Sequence, residues 1–170
     1  MKFSPLGLLA AGSLLLALSC GAQAQEAQFR GDFNDWMVFT RGEGDAMVCY
    51  ALTRPTDARP GNVEHGDVYF LVSTWKNNSA KEQPNFFAGY TLRPDSPPNV
   101  RVGSDRFAMF VSENESFIEE PAQENRLVSA MRRGSDMRVE AVSQRGTATA
   151  YTFSLSGVTA SLREVERLCE

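Results

Sequence analysis

The chain has 170 residues, with 17 basic against 21 acidic side chains and a formal net charge of −4. So acidic a balance, with no dense Lys/Arg run, lacks the positive field that draws nucleic acid or anionic lipid. Those two classes of partner are excluded. The pair Arg132-Arg133 reads as a solvated hairpin end.

The first residues have the three parts of a secretory signal. Lys2 gives positive charge, an apolar run covers Leu6 to Leu18, and Ala22-Gln23-Ala24 is the small-x-small pattern cut by signal peptidase. The apolar run is shorter than the roughly 20 residues a membrane-spanning helix needs. Cleavage between Ala24 and Gln25 is expected, so residues 1–24 leave and 25–170 remain. The alternatives are a retained anchor and a lipoprotein modified at Cys20, although Ala17 and Leu18 fit a lipobox poorly. The expected address is periplasmic or secreted, with no transmembrane segment after cleavage.

Residues 25–32 are polar and read as a flexible lead-in. From Phe33 onward, short segments rich in Val, Phe, Tyr, Trp and Thr alternate with Gly, Pro, Asn and Asp clusters, the texture of strands and turns. Strands are predicted at Trp36–Thr40, Met47–Thr53, Val68–Trp75, Phe86–Leu92, Arg106–Ser112, Leu127–Arg132, Met137–Ser143 and Ala150–Leu155. In Val68–Trp75 both faces begin apolar, which predicts a central strand covered on both sides. In Met137–Ala141 apolar and polar residues alternate, so one face looks to solvent. Turns at Arg133–Asp136 and Gln144–Gly146 would make the last three strands an antiparallel meander. The stretches Arg54–Gly66 and Arg93–Asn99 carry several Pro residues and are predicted loops.

The ending is different. Val158, Leu162, Val165 and Leu168 recur at helical spacing, with Arg163, Glu164, Glu166 and Arg167 on the opposite side and Ser156 as N-cap. The fold expected over 33–170 is therefore one mainly β domain, an antiparallel sandwich or barrel closed by one C-terminal helix. Cys49 and Cys169 survive cleavage. In an oxidising compartment such a pair forms a disulfide, here closing a loop of about 120 residues. Two separate buried thiols are the alternative.

A search for chemistry finds little. His65 is the only histidine, and no Gly-x-Ser-x-Gly elbow accompanies it. It reads as an exposed loop residue without an orienting partner. Metal-ligand spacing is absent. Asp32 and Asp35, and Glu113, Glu115, Glu119 and Glu120, lack the order of a calcium loop. Gly42-Glu43-Gly44 lacks the third glycine of a dinucleotide fingerprint. No catalytic residue, cofactor or metal is expected. A carboxylate pair acting on an envelope polymer is the rival reading, with Asp35, Glu64, Asp67 and Glu115 as the acids to test.

Three short motifs carry a resemblance. Asp35-Trp36 opens the first predicted strand, Cys49-Tyr50 lies in the second, and Phe153-Ser154-Leu155-Ser156-Gly157-Val158-Thr159-Ala160-Ser161-Leu162 ends the domain. Together they resemble the invasion-associated locus B family, exported proteins of alphaproteobacteria, over about Phe33–Leu168. The resemblance implies an exported binding or interaction protein, with an envelope or host protein as partner, and brings no catalytic residues. A structural partner of the outer membrane or an envelope complex is a further alternative. Many members carry extra cysteines in mid-domain, and this chain has none there.

Overall fold

The computed structural model describes residues 26–170. The expected signal, its cleavage point at Ala24–Gln25 and Cys20 lie outside the described residues. Twelve strands form two antiparallel sheets. The larger has seven strands: β1 (Gln28–Phe33), β2 (Trp36–Arg41), β3 (Val48–Thr53), β5 (Tyr69–Trp75), β6 (Gln83–Phe87), β10 (Glu115–Phe117) and β9 (Phe110–Ser112), in that spatial order. The smaller runs β4 (Asp57–Arg59), β12 (Ala148–Ser154), β11 (Asp136–Val142), β7 (Asn99–Val102) and β8 (Asp105–Ala108). Among the described residues there are also two α-helices, α1 (Pro121–Arg133) and α2 (Val158–Cys169). The sheets stay open and separate, so the barrel alternative is set aside in favour of a sandwich-like arrangement.

Alternation builds the core. Met137, Val139 and Ala141 of β11 are buried, while Arg138 and Glu140 bond each other outside at 2.9 Å. From the larger sheet, Trp36, Val38, Cys49, Ala51, Phe70, Val72 and Phe86 turn inward. The sheets interlock through aromatic rings: Phe70 and Phe86 lie 5.9 and 6.4 Å from Phe153, and Phe86 lies 5.6 Å from Tyr151. The edge-to-face and tilted geometries suit ring quadrupoles. Helix α2 buries Val158, Leu162 and Val165 and packs on β2 and β3. The disulfide Cys49–Cys169 joins it to β3, with an S–S distance of 2.09 Å and a Cα–Cα distance of 6.0 Å.

Several expectations need correction. Leu127–Arg132 is not a strand but the last part of α1. Pro121 sits in the first turn, where its missing N–H costs nothing, and Leu127, Val128 and Met131 form the buried stripe. The helix begins at Pro121, and its polar first half carries none of the apolar period that Leu127–Arg132 shows only in part. The three-strand meander thus reduces to the β11–β12 hairpin, and β7 is the other neighbour of β11. The lead-in is not flexible: most of it is β1, held by backbone bonds to β2 at the sheet edge. Phe86–Leu92 ends as a strand at Phe87 and begins earlier, at Gln83. Arg106–Ser112 divides at Met109, whose N–H donates to Pro98 O at 3.0 Å, an ordinary backbone bond. There the chain passes from one sheet to the other. Part of the Arg54–Gly66 loop is β4. The N-cap of α2 is Gly157, not Ser156, because the chain there takes a left-handed turn at φ 95°.

Candidate functional site

The outer face of the seven-stranded sheet is where the sequence pattern and the fold diverge. Strand β5 is central, as its apolar character predicts, but only one of its faces is covered. Phe70, Val72 and Thr74 enter the core, whereas Tyr69, Leu71, Ser73 and Trp75 remain half-buried on the outside. Both helices lie on the other side of this sheet, so the outer residues form an open groove of about 550 Å³. Cross-strand pairs make its floor: Leu52 opposite Leu71, Val48 opposite Trp75, and Tyr69 opposite Phe87. Such pairs are the unit from which a sheet face is built.

Aromatic residues flank that floor. On one side Phe39 stacks on Tyr50 at 5.7 Å, and Phe29 meets Phe39 edge-on at 5.5 Å. On the other, Phe110 lies 5.8 Å from Phe117. Phe29 and Phe110 are 54% and 44% exposed, the two most exposed large apolar side chains among the described residues. Polar groups sit among them: Arg41, Gln83, Asn85 and Glu115. Arg54 donates to the Tyr69 hydroxyl at 2.6 Å and lies 4.6 Å from its ring centroid. Burial pushes the Tyr50 hydroxyl above the ordinary tyrosine range, with the Arg41 charge working against it.

A second concavity, of about 880 Å³, opens where the 60–66 loop meets the 88–92 segment and the β11–β12 turn. Gly66 and Gly89 allow that meeting. A Cβ on Gly89 would lie 2.6 Å from Asp67 N, closer than real side chains come. His65 lines this cleft and is half-buried, not exposed and unpartnered as its loop position predicts. Its Nε2–H donates to Pro60 O at 3.0 Å, and its Nδ1 lies 2.8 Å from the Tyr151 hydroxyl. Those partners engage both ring nitrogens, so neither is available for general-base work on a ligand. Burial first, and then the bond to Tyr90, hold the Tyr151 hydroxyl well above the ordinary tyrosine range, so it stays protonated.

The acids singled out in the sequence are dispersed. Asp35 accepts a bond from Ser154 Oγ at 2.6 Å beside the first hairpin turn. Asp67 pairs with Arg54 at 3.2 Å. Glu64 lines the cleft and Glu115 the groove. Glu120 is the N-cap residue of α1. Among the described residues no group of three or more His, Cys, Asp or Glu side chains could hold a metal ion, and no helix is long and apolar enough to cross a membrane. Sequence reasoning missed the Tyr151 partner of His65, which lies 86 residues away in the chain and leaves no local signal. Comparison with family models, curated proteins and solved structures finds no match.

Proposed function

We propose that this chain is an exported, non-enzymatic binding protein of the invasion-associated locus B type, periplasmic or secreted. Its partner is an envelope or host protein that docks on the outer groove of the seven-stranded sheet. The observation that carries this reading is the uncovered apolar floor at the middle of that sheet. Contiguous apolar surface with a polar rim marks interaction sites. The family reading draws support from the way the three sequence motifs meet. Trp36 Nε1–H donates to Ser154 O at 3.0 Å, Asp35 N–H donates to Ser156 O at 3.3 Å, and Cys49 bonds Cys169.

A photo-crosslinking residue placed at Leu71, in the groove, should capture a partner in the living cell. The same residue at Arg138, on the outer face of the other sheet, should not. Leu71→Lys should keep the unfolding midpoint and weaken binding at least tenfold, the scale of a lost apolar anchor. Equal capture from both positions, or none from Leu71, would overturn the reading. Export is tested separately by intact mass. A chain beginning at Gln25 that takes up alkylating agent only after reduction supports it, and a lipid-modified chain beginning at Cys20 overturns it.

A further inference from the structure

The register of the five-stranded sheet gathers arginines that are scattered in the sequence. Arg138 of β11 stands opposite Arg101 of β7, and Arg101 stands opposite Arg106 of β8. All three point away from the core, because their chain neighbours Val139, Val100 and Phe107 are buried. Adjacent strands lie about 4.8 Å apart, so the row carries its three positive charges over roughly 10 Å. Like charges set directly opposite one another destabilise a sheet. The carboxylates of this face do little to relieve the row. Asp57 pairs with Arg59 at 3.0 Å, and Asp136 accepts from Ser135 Oγ at 2.9 Å. Glu140 accepts from Arg138 Nε at 2.9 Å, which uses one of that side chain's five N–H donors. The exposed side chains of Arg101 and Arg106 form no hydrogen bond or ion pair among the described residues.

Arg138 also borders a hollow of about 520 Å³ on the same face. In register, Ala150 lies between Arg59 and Glu140, and with Ala148 its short side chain leaves the space that these longer ones surround. We propose that this hollow and the adjoining arginine row bind a short acidic glycan, whose oxyanions are uronate carboxylates or sugar phosphates. The planar guanidinium fork matches both groups with paired hydrogen bonds. The glycan is short because the whole chain carries a net charge of −4, which repels a long polyanion before contact. A lipid surface fits less well. Basic segments that lie on membranes add an apolar anchor, and the exposed large apolar residues, Phe29, Val63 and Phe110, lie on β1, in the 60–66 loop and on β9. No exposed aromatic ring on this face offers the stacking platform that single-stranded nucleic acid uses. The surface is separate from the groove on the other sheet. Its occupant is a sugar, so a photo-crosslinker placed in this face still captures no protein partner.

Calorimetric titration and thermal unfolding at low salt test this, with tetragalacturonate and fructose 1,6-bisphosphate as probes. At about ten times its dissociation constant, a ligand of the folded state should raise the thermal midpoint by about 3–5 °C. Uncharged maltotetraose should leave it unmoved. The double variant Arg101→Gln, Arg106→Gln should bind at least tenfold more weakly, the scale of lost charge-assisted bonds. Without ligand it should unfold no earlier than wild type, because mutual repulsion has been removed. Arg163→Gln, at an exposed position of α2, makes a control for net charge and should bind as wild type does. No shift with either acidic probe, or an equal shift in the double variant, would overturn the inference. An unliganded double variant with a lower midpoint than wild type would also count against it, since the row would then be holding the fold together. Binding to phosphatidylglycerol vesicles through the same arginines, in preference to both sugars, would replace the glycan with a lipid.

Discussion

Trp36 and Ser154 stand 118 residues apart in the chain and are joined by a 3.0 Å bond from the indole N–H to the carbonyl. Trp36 is wholly buried, so this bond ties the second strand of one sheet to the last strand of the other. Trp36→Phe removes the donor, leaves a buried carbonyl without its partner and opens a void. The expected loss of stability is about 2–3 kcal/mol. Urea unfolding should show a lower midpoint with an unchanged slope. In the same variant Trp75 is the only tryptophan, so residual fluorescence should report the groove and be readily quenched from solvent.

The Cys49–Cys169 bond spans 120 residues. The chain-entropy model gives loops of that size roughly 4–5 kcal/mol, and removal of native disulfides typically costs about 2–5 kcal/mol. The double variant Cys49→Ala, Cys169→Ala should therefore unfold at markedly lower urea than the oxidised protein. Reductant should shift the wild type and leave the variant unmoved.

Gly157 is constrained twice. Its φ of 95° is unfavourable for other residues, and a Cβ there would collide with the carbonyl of Phe33. Gly157→Ala should cost about 2–4 kcal/mol, seen as a lowered thermal midpoint. Gly103, also at positive φ, has nothing within 4 Å of a built Cβ. Gly103→Ala should cost much less, which separates backbone strain from collision.

Glu124, in the first turn of α1, has its carboxyl held above the usual range by burial, with a bond to Gln83 acting the other way. A raised carboxyl means that the folded state binds the proton more tightly than the unfolded one. Its contribution is present at low pH and is lost as the pH rises through the folded value. Glu124→Gln should remove that loss. The gap between wild type and variant in urea midpoint should favour the variant more at neutral pH than at pH 4, and a gap independent of pH would contradict the assignment.

Legibility in the sequence followed the range of each signal. Alternation in Met137–Ala141 and the helical spacing of Val158, Leu162, Val165 and Leu168 are local patterns, and both elements form where the patterns place them. Strand β1 has little burial and depends on backbone pairing with β2, so its composition looked like a tail. Helix α1 has a sound stripe, but its first turns are polar, so the apolar residues from Leu127 alone resemble a strand. The groove was half visible. The apolar outer residues of β5 were plain in the sequence, but whether they met a second layer or solvent depended on which face received the helices. The link from His65 to Tyr151 spans 86 residues, and nothing near His65 announces it.

The turn between β1 and β2 is fastened to the start of α2. Asn34 donates to Ser156 Oγ at 3.1 Å across 122 residues, Asp35 accepts from Ser154, and Gly157 fits against Phe33. The β1–β2 turn, made early in synthesis, therefore has none of these partners until the segment around residue 155 arrives. Contacts so distant in sequence make folding slow. The nascent chain should stay loose and protease-sensitive while it lengthens, and then acquire its whole resistance in one late step.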